Sequence, residues 1–277
     1  MAPDPDAGTR VARPAQTGVA GESSARSPNT RESLRTFAAD PGLTENAALS
    51  LLGKPDLPSE VLEQIARNGS GLKHRKVKLA LVEHPRTPRH VSLPLVRQLY
   101  TFDLMQVALT PIVPADIKLA ADEALCSRMA TLSSGERLSL AHRGSGRIAE
   151  ALLSDAEVRV VHAALENQRL TESTIVRALT RHDCSPAFVE AVCQHPQWSL
   201  RREVRVALLR NERTPMARAV EFAQALPAAE VREILPGSRL PARVKAQLLS
   251  GLEQRGSGKA RFGMEEFQPT TGEDTRS

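Results

Sequence analysis

His182, Asp183 and Cys184 stand side by side, and imidazole, carboxylate and thiol together are the groups from which Cys–His nucleophilic chemistry or metal ligation is built. Either chemistry needs convergent partners at ligand spacing, and the chain supplies none. The other two cysteines, Cys126 and Cys193, are isolated, and there is no Cys-x-x-Cys pair. Three thiols in odd number suit a reducing compartment better than a disulfide framework, so the expected location is the cytoplasm. Ser145 sits in Gly144-Ser145-Gly146, a Gly-x-Gly without a strand before it or the rest of a nucleotide fingerprint, and reads as a turn between helices. No catalytic residue, metal ligand or cofactor site is assigned, and the expectation is a protein that is not an enzyme.

Cations offer a second chemistry. Between Arg67 and Arg97 there are eight Lys or Arg and one acid, and between Gln194 and Gln224 six and three. The densest groups are Lys73-His74-Arg75-Lys76 with Lys78, and Arg201-Arg202 with Arg205, which follow the only tryptophan, Trp198. A phosphate backbone or an acidic protein binds to such surfaces, and Trp198 is either a core filler or an exposed anchor. The counter-reading is plain solvation: on a helix Lys73 and Lys76 share one face while Arg75 and Lys78 share another.

The elements that must carry these residues are legible from a repeat. At an offset of 127 positions, residues 43–125 lie over residues 170–252 without a gap, and about 18 of the 83 positions are identical. Leu43-Thr44-Glu45 falls on Leu170-Thr171-Glu172, and Arg86-Thr87-Pro88 on Arg213-Thr214-Pro215. The offset is an internal control: Cys184 overlies Leu57, Cys193 overlies Ala66 and Trp198 overlies Gly71. The cysteines thus fill apolar slots. Equivalent helices of stacked repeats line one continuous surface, so the two cationic groups are expected on the same side.

Within each copy the pattern is short helices. Val77, Ala80, Leu81 and His84 hold i, i+3, i+4, i+7 spacing, as do Val204, Ala207, Leu208 and Asn211. Thr87-Pro88, Thr214-Pro215 and Ser185-Pro186 predict N-caps followed by a first-turn proline, and Ser133-x-x-Glu136 and Ser154-x-x-Glu157 have capping-box spacing. Helices end in Asn68, His84, Asn167, His195 and Asn211, a series that reads as a structural ladder. No segment alternates with a two-residue period, so no strand is predicted.

Val204-Arg205-Val206-Ala207-Leu208 followed by Asn211-Glu212-Arg213-Thr214-Pro215 resembles the unit of bacterial HEAT-like repeats, in particular the leucine-rich repeat variant type; Val77-Lys78 with Thr87-Pro88 and Val158-Arg159 with Leu170-Thr171 match less closely. The resemblance covers about residues 43–252. It implies an all-α, right-handed α-solenoid of six or seven helical repeats, with residues 126–169 linking the copies. The leucine-rich repeat variant prototype carries an iron–sulfur cysteine cluster. This chain has no such cluster, so that cofactor does not transfer. HEAT-like DNA glycosylases bind duplex DNA on a basic concave surface, using aromatic residues and a carboxylate; with one Trp and one Tyr, at non-equivalent positions, this chain supplies little of that.

Totals narrow the classes further. The 277 residues are 41% hydrophobic but 3% aromatic, with a net charge of +5 spread along the chain. The core is therefore Ala, Leu and Val, which suits close helix packing; the composition also points to a bacterial source. No run of about 18 apolar residues is present to cross a bilayer, and the acidic start, Met1-Ala2-Pro3-Asp4, has no signal or transit pattern. Residues 1–38 and 255–277 lack apolar periodicity and are expected to be disordered tails around a folded body at 39–254, although Phe262, Met264 and Phe267 flank Glu265-Glu266 in a possible docking peptide. The function expected is a scaffold or adaptor holding a protein or peptide partner. The alternatives are a nucleic-acid-binding protein using the basic helices, and a phosphopeptide or nucleotide regulator using Arg201, Arg202 and Arg205.

Overall fold

The computed structural model describes residues 31–262, with side chains to residue 254. Among the described residues there are seventeen α-helices, two 3-10 turns and no strand. The first eight helices are α1 (Arg31–Ala38), α2 (Glu45–Leu52), α3 (Ser59–Arg67), α4 (Gly69–Leu72, one turn), α5 (Arg75–Glu83), α6 (Arg89–Val96), α7 (Thr101–Leu109) and α8 (Ala115–Arg128). Three follow between the two copies: α9 (Ser134–Arg143), α10 (Gly146–Leu152) and α11 (Val158–Leu165). The last six are α12 (Glu172–Thr180), α13 (Pro186–Gln194), α14 (Arg202–Arg210), α15 (Met216–Gln224), α16 (Ala228–Ile234) and α17 (Ala242–Phe262). None is long and apolar enough to cross a membrane.

The six starts at 45, 59, 75, 89, 101 and 115 reappear at 172, 186, 202, 216, 228 and 242, each 127 residues on. Burial follows the same offset: Val77 and Val204 are both fully buried. The outer boundaries differ from expectation. Residues 31–38, assigned to the N-terminal tail, form α1, which packs on α3 and buries Ala38. Helix α17 likewise runs past residue 254 to Phe262. Residues 1–30 and the Met264–Phe267 part of the acidic-aromatic motif lie outside the described residues.

Helices this short (most of eight or nine residues) are unstable alone and depend on packing against neighbours. Their contacts form two rows. One links α1, α3, α6, α8, α10, α12, α14 and α16; the other links α2, α5, α7, α9, α11, α13, α15 and α17. Every one of these contacts joins elements close in the chain. Three helices, an odd number, separate the copies, so the rows exchange: α2, α5 and α7 belong to the second row, whereas their counterparts α12, α14 and α16 belong to the first.

Each helix leaves its last carbonyls without an intrahelical donor, and the Asn/His series meets that need from the next helix of the same row. Asn68 donates to the Ala38 and Asp40 carbonyls at 3.0 and 2.7 Å, Asn167 to Ala141 at 2.7 Å and Gly144 at 3.2 Å, and Asn211 to Leu179 at 2.7 Å. Each amide oxygen accepts the N–H two residues on: Ser70, Arg169 and Arg213. His84 spans the same gap, with Nε2 3.0 Å from the Lys54 carbonyl and Nδ1 accepting from Arg86.

Three predicted caps are corrected. Helices α6 and α15 begin after Pro88 and Pro215, which occupy the N-cap position themselves. The hydroxyls of Thr87 and Thr214 point backward, donating to the Leu81 and Leu208 carbonyls at 2.6 Å each. They serve the end of the previous helix because its orphan carbonyls lie within reach. Ser154 caps nothing either: Glu157 is the N-cap of α11, and its N–H is taken by Asp155. Ser133 and Glu136 do form a reciprocal capping box, and Ser185 does cap α13 ahead of Pro186.

Candidate partner-binding surfaces

The cationic residues come first, because charge is the only chemistry concentrated in the sequence. Arg75 grips Asp103 of α7 with two bonds of 2.7 Å, and its guanidinium lies 5.0 Å from the Tyr100 ring centroid. Donating to Asp103 raises the Arg75 pKa above its ordinary value. The counterpart Arg202 donates to Glu230 of α16 at 2.6 Å, and Glu230 stands 127 positions after Asp103. In both copies, then, this arginine clasps the next helix of its own row. Lys78 donates to Gln98 at 3.1 Å, and the counterpart Arg205 donates to the Ser199 carbonyl at 2.8 Å. Lys73, Lys76 and Arg201 are exposed and have no acidic partner among the described residues.

The expectation of one continuous basic surface fails on topology. Because of the row exchange, α5 with Lys73–Lys78 lies in the second row and α14 with Arg201–Arg205 in the first. The structure keeps these groups in different rows, and in each one an arginine is engaged by a carboxylate of the next helix in its row.

Trp198 is not a surface anchor. It is 5% exposed, and its indole Nε1 donates to the Leu165 carbonyl at 2.8 Å. That acceptor explains the residue. Position 165 is 127 after Ala38, the acceptor of Asn68, and Asn68 itself is replaced by His195. His195 Nδ1 is occupied as an acceptor from the Gln197 and Trp198 N–H groups, so the lost amide donor is supplied by the indole that replaces Gly71. Burial lowers the His195 pKa, which favours the neutral ring, and the two N–H groups aimed at Nδ1 make that nitrogen the acceptor.

The Cys–His group is likewise accounted for. Asp183 is held by Arg181 through bonds of 3.0 and 2.7 Å, and His182 Nδ1 lies 3.3 Å from Arg239. Cys184 and Cys193 are buried. Burial pushes both thiols up, Cys193 to about 11, away from the thiolate that acts as nucleophile or ligand. No cluster of three metal-ligating side chains occurs among the described residues.

Grooves between adjacent helices of one row were not visible in the sequence. Leu93, Val96 and Arg97 of α6 and its C-cap face Ala120, Glu123, Ala124, Ser127 and Arg128 of α8 across a cleft of roughly 420 Å³. Val220, Ala223 and Gln224 of α15 face Gln247, Ser250, Gly251 and Gln254 of α17 across one of roughly 650 Å³. Seven of the eight lining positions of the first recur in the second at the 127 offset. Small residues at 120 and 124, and at 251, hold the helix surfaces open, while Leu93 is left 38% exposed. The signal that would have found the clefts is a helix pair with small residues four apart opposite an unburied leucine. Comparison of the chain with family models, with curated proteins and with solved structures gives no match.

Proposed function

We propose that this chain is a non-enzymatic scaffold of the HEAT-like, leucine-rich repeat variant kind: a right-handed α-solenoid in the cytoplasm that holds a protein or peptide partner. The observation carrying this reading is the pair of equivalent grooves, α6/α8 and α15/α17, lined by the same positions in both copies. Two rows of short helices, each bonded to the next in its row, are what such a superhelix requires. Clefts of this size, with apolar floors and a few polar groups at the rim, suit side chains of a peptide. The row exchange places one groove in each row, so partner segments would be taken up on two different sides. The nucleic-acid reading is weaker because Arg75 and Arg202 are spent on Asp103 and Glu230.

The test is photocrosslinking in the native host, with a photoreactive residue at 93, at 220 or at 76. Protein adducts from 93 and 220 are expected. Nucleic-acid adducts from 76, together with bare groove positions, would move the assignment to nucleic-acid binding.

A further inference from the structure

Among the described residues, the two grooves share shape but differ in charge. The α15/α17 cleft is rimmed by neutral Gln224, Gln247, Ser250 and Gln254. The α6/α8 cleft carries Arg97, Arg128 and Glu123. Glu123 faces Arg147 of α10 at 3.6 Å. The Arg128 guanidinium donates to the Leu99 carbonyl at 2.8 Å and to the Arg97 carbonyl, which fixes its position at the cleft and leaves its charge unneutralised. Arg97 is exposed and has no acidic partner among the described residues. The first cleft is thus apolar at its floor, around Leu93, Val96, Ala120 and Ala124, and cationic at one end.

The sequence contains a complementary segment: Phe262-Gly263-Met264-Glu265-Glu266-Phe267, with large apolar side chains around two adjacent carboxylates. From this complementarity we infer that the α6/α8 groove is the docking site for residues 262–267 of a second copy of this chain. Its aromatic and Met side chains fill the floor, and Glu265 and Glu266 meet Arg97 and Arg128. The occupant is a second copy on grounds of reach. From α8 the row passes through α10, α12, α14 and α16 before its end, four interfaces of about 8–10 Å each, or roughly 30–40 Å. The five residues 263–267 that follow the end of α17 at Phe262 span at most about 18 Å when extended. The nearer α15/α17 groove is within reach of its own tail, but it offers the two glutamates no cation among its described lining residues.

This inference rests on the reading that the grooves hold partners, and it names the partner of one of them. It is tested with the full chain by sedimentation velocity over a concentration series to about 100 μM, a range that registers micromolar association. Four proteins are compared: wild type, Arg97→Glu, the double variant Glu265→Lys/Glu266→Lys, and the combination of all three substitutions. Arg128 is left alone because it supports helix ends. Concentration-dependent association is expected for the wild type, weakened about tenfold or more by either charge change. The combination should return to within about threefold of wild type, since the reversed charges again face each other. Misfolding would not be rescued in this way. A wild-type chain that stays monomeric overturns the inference, as does association indifferent to Arg97→Glu or charge variants that do not rescue each other. If the wild type is monomeric while position 93 still crosslinks a different protein, self-docking is wrong and the groove reading stands.

Discussion

Replacing Trp198 with Phe removes one N–H and little else, and so isolates the compensation between positions 195 and 198. The indole donates to the Leu165 carbonyl, the last of α11, inside a site where Trp198 is 5% exposed. Without that donor the carbonyl stays buried and unsatisfied, at a cost of about 1–3 kcal/mol, to which the lost ring volume adds. In the first copy the same carbonyl position is served by Asn68 with a glycine at 71. A chain with His195→Asn restores an amide at the first-copy position, so Trp198→Phe should cost about 1 kcal/mol less in that background than alone. Urea titrations followed by circular dichroism measure all four corners of the cycle; tryptophan fluorescence is unsuitable because Trp198 is the sole tryptophan. A Trp198→Phe cost below about 0.5 kcal/mol would refute the view that the indole bond is needed, since that is the size of an ordinary surface change. An equal cost in both backgrounds would refute the substitution of one donor for the other.

Asp122 on α8 accepts a bond from Ser145 at 2.8 Å, but burial raises its pKa above the ordinary 3.8. The fold therefore holds its proton more tightly than the unfolded chain, and this contribution is complete below pH 3.8 and lost as pH rises through the raised value. Asp122→Asn keeps the acceptor and escapes the loss, so its stability relative to wild type should grow with pH in chemical-denaturation curves taken from pH 3.5 to 7. Gly146 opens α10 beneath the Arg169 carbonyl, where a Cβ would sit 2.7 Å from the oxygen. Gly146→Ala should cost about 1–3 kcal/mol in the same assay, whereas Gly135→Ala, with open space around it, should be nearly neutral. Cys193, buried with its thiol pushed up to about 11, should react with a maleimide at neutral pH only after denaturant is added; labelling as fast as for a free thiol would contradict that burial.

The repeat made much of this architecture readable. Six helix starts follow from one another by adding 127, because capping and apolar spacing are local and were copied together. What lay hidden is what depends on partners about 30 residues away. The Asn and His residues at helix ends were visible, but not the carbonyls they serve. Helix α1 was missed because Arg31–Ala38 is mostly polar, with Leu34, Phe37 and Ala38 its only apolar residues, and depends on α3 for its burial. Trp198 was ambiguous for a similar reason. A lone tryptophan over a glycine has no meaning until the Asn68-to-His195 exchange in the same turn is seen as its counterpart, and both changes stand in the sequence.

The row exchange was also countable from the chain, and it alters the reading of function more than any single residue. A duplication joined through an even number of helices would put α5 and α14 in one row and merge their cations into a single stripe. With α9, α10 and α11 between the copies, an odd number, the stripe is divided. The same parity acts on the grooves, placing α6/α8 in the first row and α15/α17 in the second. The repeated surface is thereby set in both rows, and the two settings differ in charge, Arg97 against Gln224 and Glu123 against Ser250. A long polyanion lying along one side meets only half of such a molecule, whereas separate peptides can occupy both halves at once. On the proposed reading, topology more than net charge is what would favour discrete protein partners.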